Sequence, residues 1–199
     1  MNDILAKTQK YVTHLFQQNH NNKLHYHNLR HTLTVVSAAK KIGMNCKLDE
    51  EELQTLQIAA WFHDVGYLEC IKNHEEISKQ YARGFLTRNG IGKTLIDQVE
   101  RCIDATRLPQ NPRDRMSEVL CDADLFHVAQ EDFMSDTQIF WDEMAAMNGE
   151  EMDEKKYLRI TLDFLKNHQF QTPCCQKNLE PGKQANLKKL QKAFEKFAG

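Results

Sequence analysis

The chain has 199 residues, 41% of them hydrophobic and 27% charged, and a formal net charge of -2. That describes one folded domain with its own core, while Gly 8 and Pro 4 are too few for an all-β fold or long disordered linkers. With no dominating block of like charge, the sequence carries no footprint for a nucleic acid polymer or an anionic membrane surface. No apolar run approaches the ~18 residues that span a membrane. The first residues lack a basic region followed by an apolar core, so no secretory leader is expected. Six cysteines, at 46, 70, 102, 121, 174 and 175, form no C-x-x-C pair and read as reduced thiols of a cytoplasmic protein. Nine histidines occur, and His20, His25, His27 and His31 crowd into one short stretch.

Residues 2–19 place Ile4, Leu5, Val12, Leu15 and Phe16 on one stripe and predict a helix. Asn28 is placed to cap a second helix running to about Met44, where His31, Val35, Ala38 and Ile42 share a face. Asp49 and Glu52 form a capping box. The helix it opens carries Leu53, Leu56, Ala60 and His63 on one side and is expected to stop near Gly66 as its C′ residue. Residues 65–73 read as a loop. Asn73 and Glu76 then suggest the cap of a helix reaching about Arg88, stopped by Asn89-Gly90. A helix from about Lys93 to Thr106 precedes the loop 107–113, which holds two prolines. Helices are expected near 115–129, 131–147 and 153–168, with Gly149 and Glu150 between the last two. Pro173 and Pro181-Gly182 bracket an irregular stretch, and an amphipathic helix near 184–197 closes the chain. The predicted fold is all-α, an irregular bundle of about eight or nine helices.

Three places put metal-ligating residue types where an apolar residue belongs. His31 lies on the core face of its helix. His63-Asp64 ends the apolar run Ile58-Ala59-Ala60-Trp61-Phe62. Asp124 lies within Val119-Leu120-Cys121-Asp122-Ala123-Asp124-Leu125-Phe126. Burying a carboxylate in such a run is costly unless it is paired or binds a cation. Two histidines and two aspartates converging from three helices would hold a divalent metal: Mn, Fe, Co, Ni or Zn from the imidazoles, or Mg from the carboxylates and water. At 100° per residue Asp124 falls near Leu120, whereas Asp122 points away from it, so Asp124 is assigned to the metal and Asp122 to a supporting or surface position. Such a ligand set leaves open positions for water, unlike a closed structural site.

These residues resemble the HD-domain superfamily of metal-dependent phosphohydrolases. The likeness is carried by Tyr26-His27-Asn28-Leu29-Arg30-His31, Ala59-Ala60-Trp61-Phe62-His63-Asp64-Val65-Gly66-Tyr67, Asn73-His74-Glu75-Glu76-Ile77-Ser78 and Leu120-Cys121-Asp122-Ala123-Asp124-Leu125. It implies an HD-type helical domain over 1–199, with the motif core at 26–125 and the helices of 131–199 packed on it. It also implies His31, His63, Asp64 and Asp124 as ligands of a divalent metal ion. The Tyr-His-Asn before His31 is similar to cyclic-nucleotide phosphodiesterases, where the residue matching His27 protonates the leaving oxygen.

Several subfamily marks are missing. The Glu-Asp box of (p)ppGpp hydrolases is replaced by Val65-Gly66-Tyr67-Leu68-Glu69, and Tyr67 stands where deoxynucleoside monophosphatases carry Glu. Region 100–112 offers Asp104, Thr106 and Arg107 instead of the extra histidines of two-metal cyclic-dinucleotide enzymes. A mononuclear site follows, with His74 as an alternative ligand of a second metal or a phosphate contact. The expected activity is hydrolysis of a phosphomonoester or phosphodiester of a nucleotide or related small phosphate compound. Asp64 would orient or deprotonate water, and His27 or His74 would act as general acid. Arg30, Arg107 and Glu75 are the candidate substrate contacts. A di-iron oxygenase, requiring His74 and Asp104 at the metal, and a nucleotide-binding module without turnover are the other classes.

Overall fold

A computed structural model describes residues 2–19, 23–149 and 151–197; His20 and Glu150 lie outside them. Among the described residues the chain forms ten α-helices and no strand. They are α1 (Asn2–Gln18), α2 (Leu29–Asn45), α3 (Glu50–Phe62), α4 (His74–Arg88), α5 (Lys93–Ala105), α6 (Arg115–Asp124), α7 (Phe133–Asn148), α8 (Glu154–Asn167), α9 (Pro173–Asn178) and α10 (Glu180–Glu195). Among the described residues no helix is long and apolar enough to cross a membrane.

The centre of the bundle is α3. It touches α1, α2, α4, α5 and α6, which is why its sequence is apolar on nearly every side rather than along one stripe. Leu56, Ile58, Ala59, Ala60 and Phe62 are all fully buried. Its start is fixed by the predicted capping box: Asp49 Oδ1 accepts from Glu52 N at 2.9 Å, and Glu52 Oε2 accepts from Asp49 N at 2.9 Å. Asn28 caps α2 as expected, its Oδ1 accepting from the amides of Arg30 and His31. Both caps set the rotation of a helix that carries a site residue.

Four expectations need correction. First, α3 ends at Phe62, and Val65–Leu68 forms a 3-10 turn rather than a loop. Gly66 is not a left-handed cap. It is needed because a Cβ there would run into the His74 carbonyl, so it lets the start of α4 approach the His63-Asp64 corner. Second, Asn73 makes no side-chain cap bond; its backbone is left-handed at φ 59 and its Oδ1 accepts from Arg107 at 3.4 Å. Third, α6 stops at Asp124, followed by a 3-10 turn at Phe126–Ala129, with the His127 imidazole Nδ1 3.3 Å from the Asp124 carbonyl.

Fourth, the stretch expected to be irregular holds the helix α9 (Pro173–Asn178) and the start of α10 (Glu180–Glu195), with a turn at Leu179 between them. Pro173 and Pro181 sit in first turns, where a missing N–H costs no helical bond. These helices lock the C-terminal segment down. A Cβ on Gly182 would collide with the Ala129 carbonyl, so α10 lies directly on the 126–129 turn. Asn186 Nδ2 donates to the carbonyls of Val128 and Gln130 at 3.0 and 2.7 Å, and Lys183 Nζ donates to that of His168 at 2.6 Å.

Candidate metal centre

His31 enters from the first turn of α2, His63 and Asp64 from the end of α3, and Asp124 from the end of α6. One ligand atom from each lies within 4.8 Å of all the others. His63 Nε2 stands 3.1 Å from Asp64 Oδ2 and 3.5 Å from Asp124 Oδ1; His31 Nε2 stands 3.3 and 3.6 Å from the same two oxygens. These are ion-pair distances without hydrogen-bond geometry: both Nε2 atoms are buried and have no hydrogen-bond partner. The other ring nitrogen of His63 is engaged, with Nδ1 2.8 Å from the Ala60 carbonyl. That contact turns Nε2 toward the cluster, as the outer partner of a metal-bound imidazole does. Two buried, unpartnered imidazole nitrogens facing two carboxylates fit a divalent cation.

The charges within the cluster stabilise one another. Burial alone would depress both imidazoles. The facing carboxylates outweigh it, raising His31 above its usual value and His63 well above it. Burial would likewise push the carboxyls up, yet the imidazoles hold Asp64 well below the usual carboxylate range and Asp124 below it too. Both aspartates are therefore ionised and available as ligands.

Asp64 faces two ways. Its Oδ2 belongs to the cluster, and its Oδ1 lies 3.6 Å from His74 Nε2. His74 Nδ1 is anchored 3.0 Å from the Ile71 carbonyl, and Nε2 also lies 3.6 Å from Glu75 Oε1. Glu75 is buried and pairs with Arg107 at 3.3 Å. Arg107 is thus tied to Glu75 and Asn73, and Arg30 to Asp136 at 3.1 Å. Asp104 pairs with Lys79 at 2.9 Å and is not among the four residues of the cluster. Asp122 is neither exposed nor at the cluster. Its carboxylate accepts from Gln171 N at 2.6 Å, Thr172 N at 2.8 Å and Thr172 Oγ1 at 2.6 Å.

Beside the cluster, a ring stack leads away from it. The imidazole of His27 lies on Tyr67 with centroids 3.7 Å apart and planes at 9°, and Tyr67 in turn lies 4.0 Å from His74. Behind His27 stands Glu143 of α7, absent from the sequence-based candidates. It is fully buried. Its Oε2 accepts from Tyr26 N at 2.7 Å and His27 N at 3.1 Å, and its Oε1 meets His27 Nδ1. Burial would raise this carboxyl, but the bonds and charge of His27 hold it below its ordinary value. The available signal was an acid inside Phe140-Trp141-Asp142-Glu143-Met144-Ala145, a mostly apolar helical run.

A helical bundle that brings two histidines and two aspartates from three helices to one point defines a class of His/Asp centres able to hold a divalent metal. The chain belongs to the HD domain family, which matches residues 28–129, just over half of its length. Its fold is similar to the crystal structure of a predicted HD superfamily hydrolase from an uncultured Thermotogales bacterium, with a TM-score of 0.53 and 19% identity over 79% of this chain and 88% of that one. No curated protein matches the chain.

Proposed function

We propose that the chain is a metal-dependent phosphohydrolase that cleaves a phosphomonoester or phosphodiester of a nucleotide or related small phosphate compound. The observation that carries this reading is the convergence of His31, His63, Asp64 and Asp124, with both Nε2 atoms buried and unpartnered. These four residues would hold the cation. When bound, it would supply Lewis acidity and a water acidic enough to react near neutral pH.

The remaining roles fall to the chain's own groups. Asp64 presents Oδ2 to the cluster and Oδ1 toward His74, so it is suited to orient an attacking water beside the cluster. His27, with Nδ1 committed to Glu143, keeps Nε2 for delivering a proton to the leaving oxygen. Arg30 and Arg107 are the candidate phosphate contacts, each on leaving its carboxylate partner.

The test is metal analysis of the purified protein followed by a phosphate-release screen over nucleotides, cyclic nucleotides and small phosphate esters. Asp64→Ala should lose metal and hydrolysis together. Normal metal content with full activity in that variant refutes the reading.

A further inference from the structure

Three of the six cysteines gather where the end of α2 meets α9, at the opposite end of α2 from His31. Cys46 is the C-cap of α2, and Cys174 and Cys175 lie in the first turn of α9. The sulfur atoms of Cys46 and Cys174 stand 3.3 Å apart, although 128 positions separate them in sequence. A further approach of about 1.2 Å brings them to bonding distance. Cys46 is buried and Cys174 half-buried, so a small oxidant reaches Cys174 first. Burial and the neighbouring thiol push Cys46 up to about 11, which keeps it protonated. Cys175 is not an equivalent partner. Its sulfur lies 4.0 Å from that of Cys174, but Cα atoms of consecutive residues are only about 3.8 Å apart, short of the ~4.4–6.8 Å that a disulfide spans. The other three thiols are turned to oxygen. Cys70 donates to the Lys72 carbonyl, Cys121 donates to the Ala105 carbonyl, and Cys102 accepts from the Ser117 hydroxyl.

We propose that Cys46 and Cys174 are a reversible redox pair that a hydroperoxide converts to an intramolecular disulfide, stapling the C-terminal helices to α2. The inference is independent of the hydrolase reading. The Cys174 thiolate attacks one peroxide oxygen, the O–O bond breaks, and the departing hydroxide recovers the thiol proton as water. The sulfenic acid left on Cys174 is then attacked by the Cys46 sulfur. The S–O bond breaks, and the hydroxyl leaves with the Cys46 proton as a second water. The two thiols lose two electrons in all, and one peroxide is reduced to two waters. The ring so closed encloses α3 through α8. It restricts the unfolded chain while asking little movement of the folded one.

The test treats the purified full chain with stoichiometric hydrogen peroxide, blocks free thiols with N-ethylmaleimide and digests with trypsin without reduction. The chain should lose two of its six thiols, and mass spectrometry should find peptide 42–47 joined to peptide 167–177. The oxidised protein should melt about 5–10 °C above the reduced one, and dithiothreitol should reverse both changes. Cys175→Ser should keep the linkage, which assigns it to Cys174. Cys46→Ser should lose it and leave Cys174 as a sulfenic acid that dimedone traps. Recovery of peptide 42–47 with its cysteine alkylated after peroxide, or a bond confined to residues 174 and 175, overturns the pair. A linked protein that melts no higher than the reduced one overturns the staple.

Discussion

Glu143 and His27 lie 116 residues apart in sequence, yet the carboxylate of Glu143 holds both the backbone amide and the ring Nδ1 of His27. One fully buried acid thus fixes where the imidazole stands and which nitrogen it offers. Glu143→Gln keeps the shape and one accepting oxygen but removes the charge. It should lower kcat by about 10–100-fold, the usual effect of an outer partner, while manganese content and KM change little. Unchanged kcat, measured beside metal analysis and a melting curve, would deny Glu143 any part in positioning His27.

Asp122 and Asp124 separate structure from chemistry on a single helix. Asp122→Ala leaves the amides of Gln171 and Thr172 without their acceptor, and should destabilise the fold by about 2–4 kcal/mol. Its manganese stoichiometry should remain that of the parent at temperatures where it is folded. Asp124→Asn should do the reverse, losing metal while melting close to the metal-free parent. Calorimetry with metal analysis of both variants decides, and an exchange of these two phenotypes would reverse the assignments.

The imidazoles of the cluster predict a pH dependence with a definite sign. His31 and His63 are raised above about 6.5 in the folded chain. The stability that these pairs contribute is therefore present below that pH and is lost as pH rises through the raised values. A divalent cation competes with protons for the same nitrogens. The rise in melting temperature on adding manganese should accordingly grow between about pH 6 and 8. An equal rise at every pH would exclude the two imidazoles as ligands.

Much of the cluster was legible because each of its four side chains is polar at a position where the helical pattern asks for an apolar one. The caps at Asn28 and Asp49 were legible for the same kind of reason, since short-range spacing alone defines them. Glu143 violates the pattern too, but its partners are backbone amides more than a hundred residues away, and no local spacing points to them. Asp122 was placed on the correct side of α6, facing away from Asp124. That side proved to be buried because residues 171–172 return over it, a tertiary contact that periodicity cannot supply. The helices beginning at Pro173 and Glu180 are obscured in the sequence by reading Pro173 and Pro181 as breakers when each occupies a first turn.

His168 offers a test of the acid side of stability. Both its ring nitrogens are buried without a hydrogen-bond partner, between Phe164 and Phe170, and burial pushes it down to about 4. The unfolded chain takes up this proton at higher pH than the folded one, so stability falls as pH drops from about 6.5 toward 4. His127, also pushed down to about 4 by burial, acts in the same direction. His168→Phe should remove its share of the slope and raise the melting temperature at pH 5 by about 2–4 °C, the shift of about 1 kcal/mol in a chain of this size. A variant with the parent's slope would show that His168 does not contribute.

The last third of the chain also bears on where the molecule can be cut. Severing it after Ala129 would strand the Asp122 carboxylate, strip the amides of Tyr26 and His27 of their acceptor on α7, and uncover the turn on which Gly182 lies. The stretch bearing the family pattern therefore owes its working shape to residues outside that pattern. Truncation series and domain-grafting experiments should carry α7 through α10 along with it.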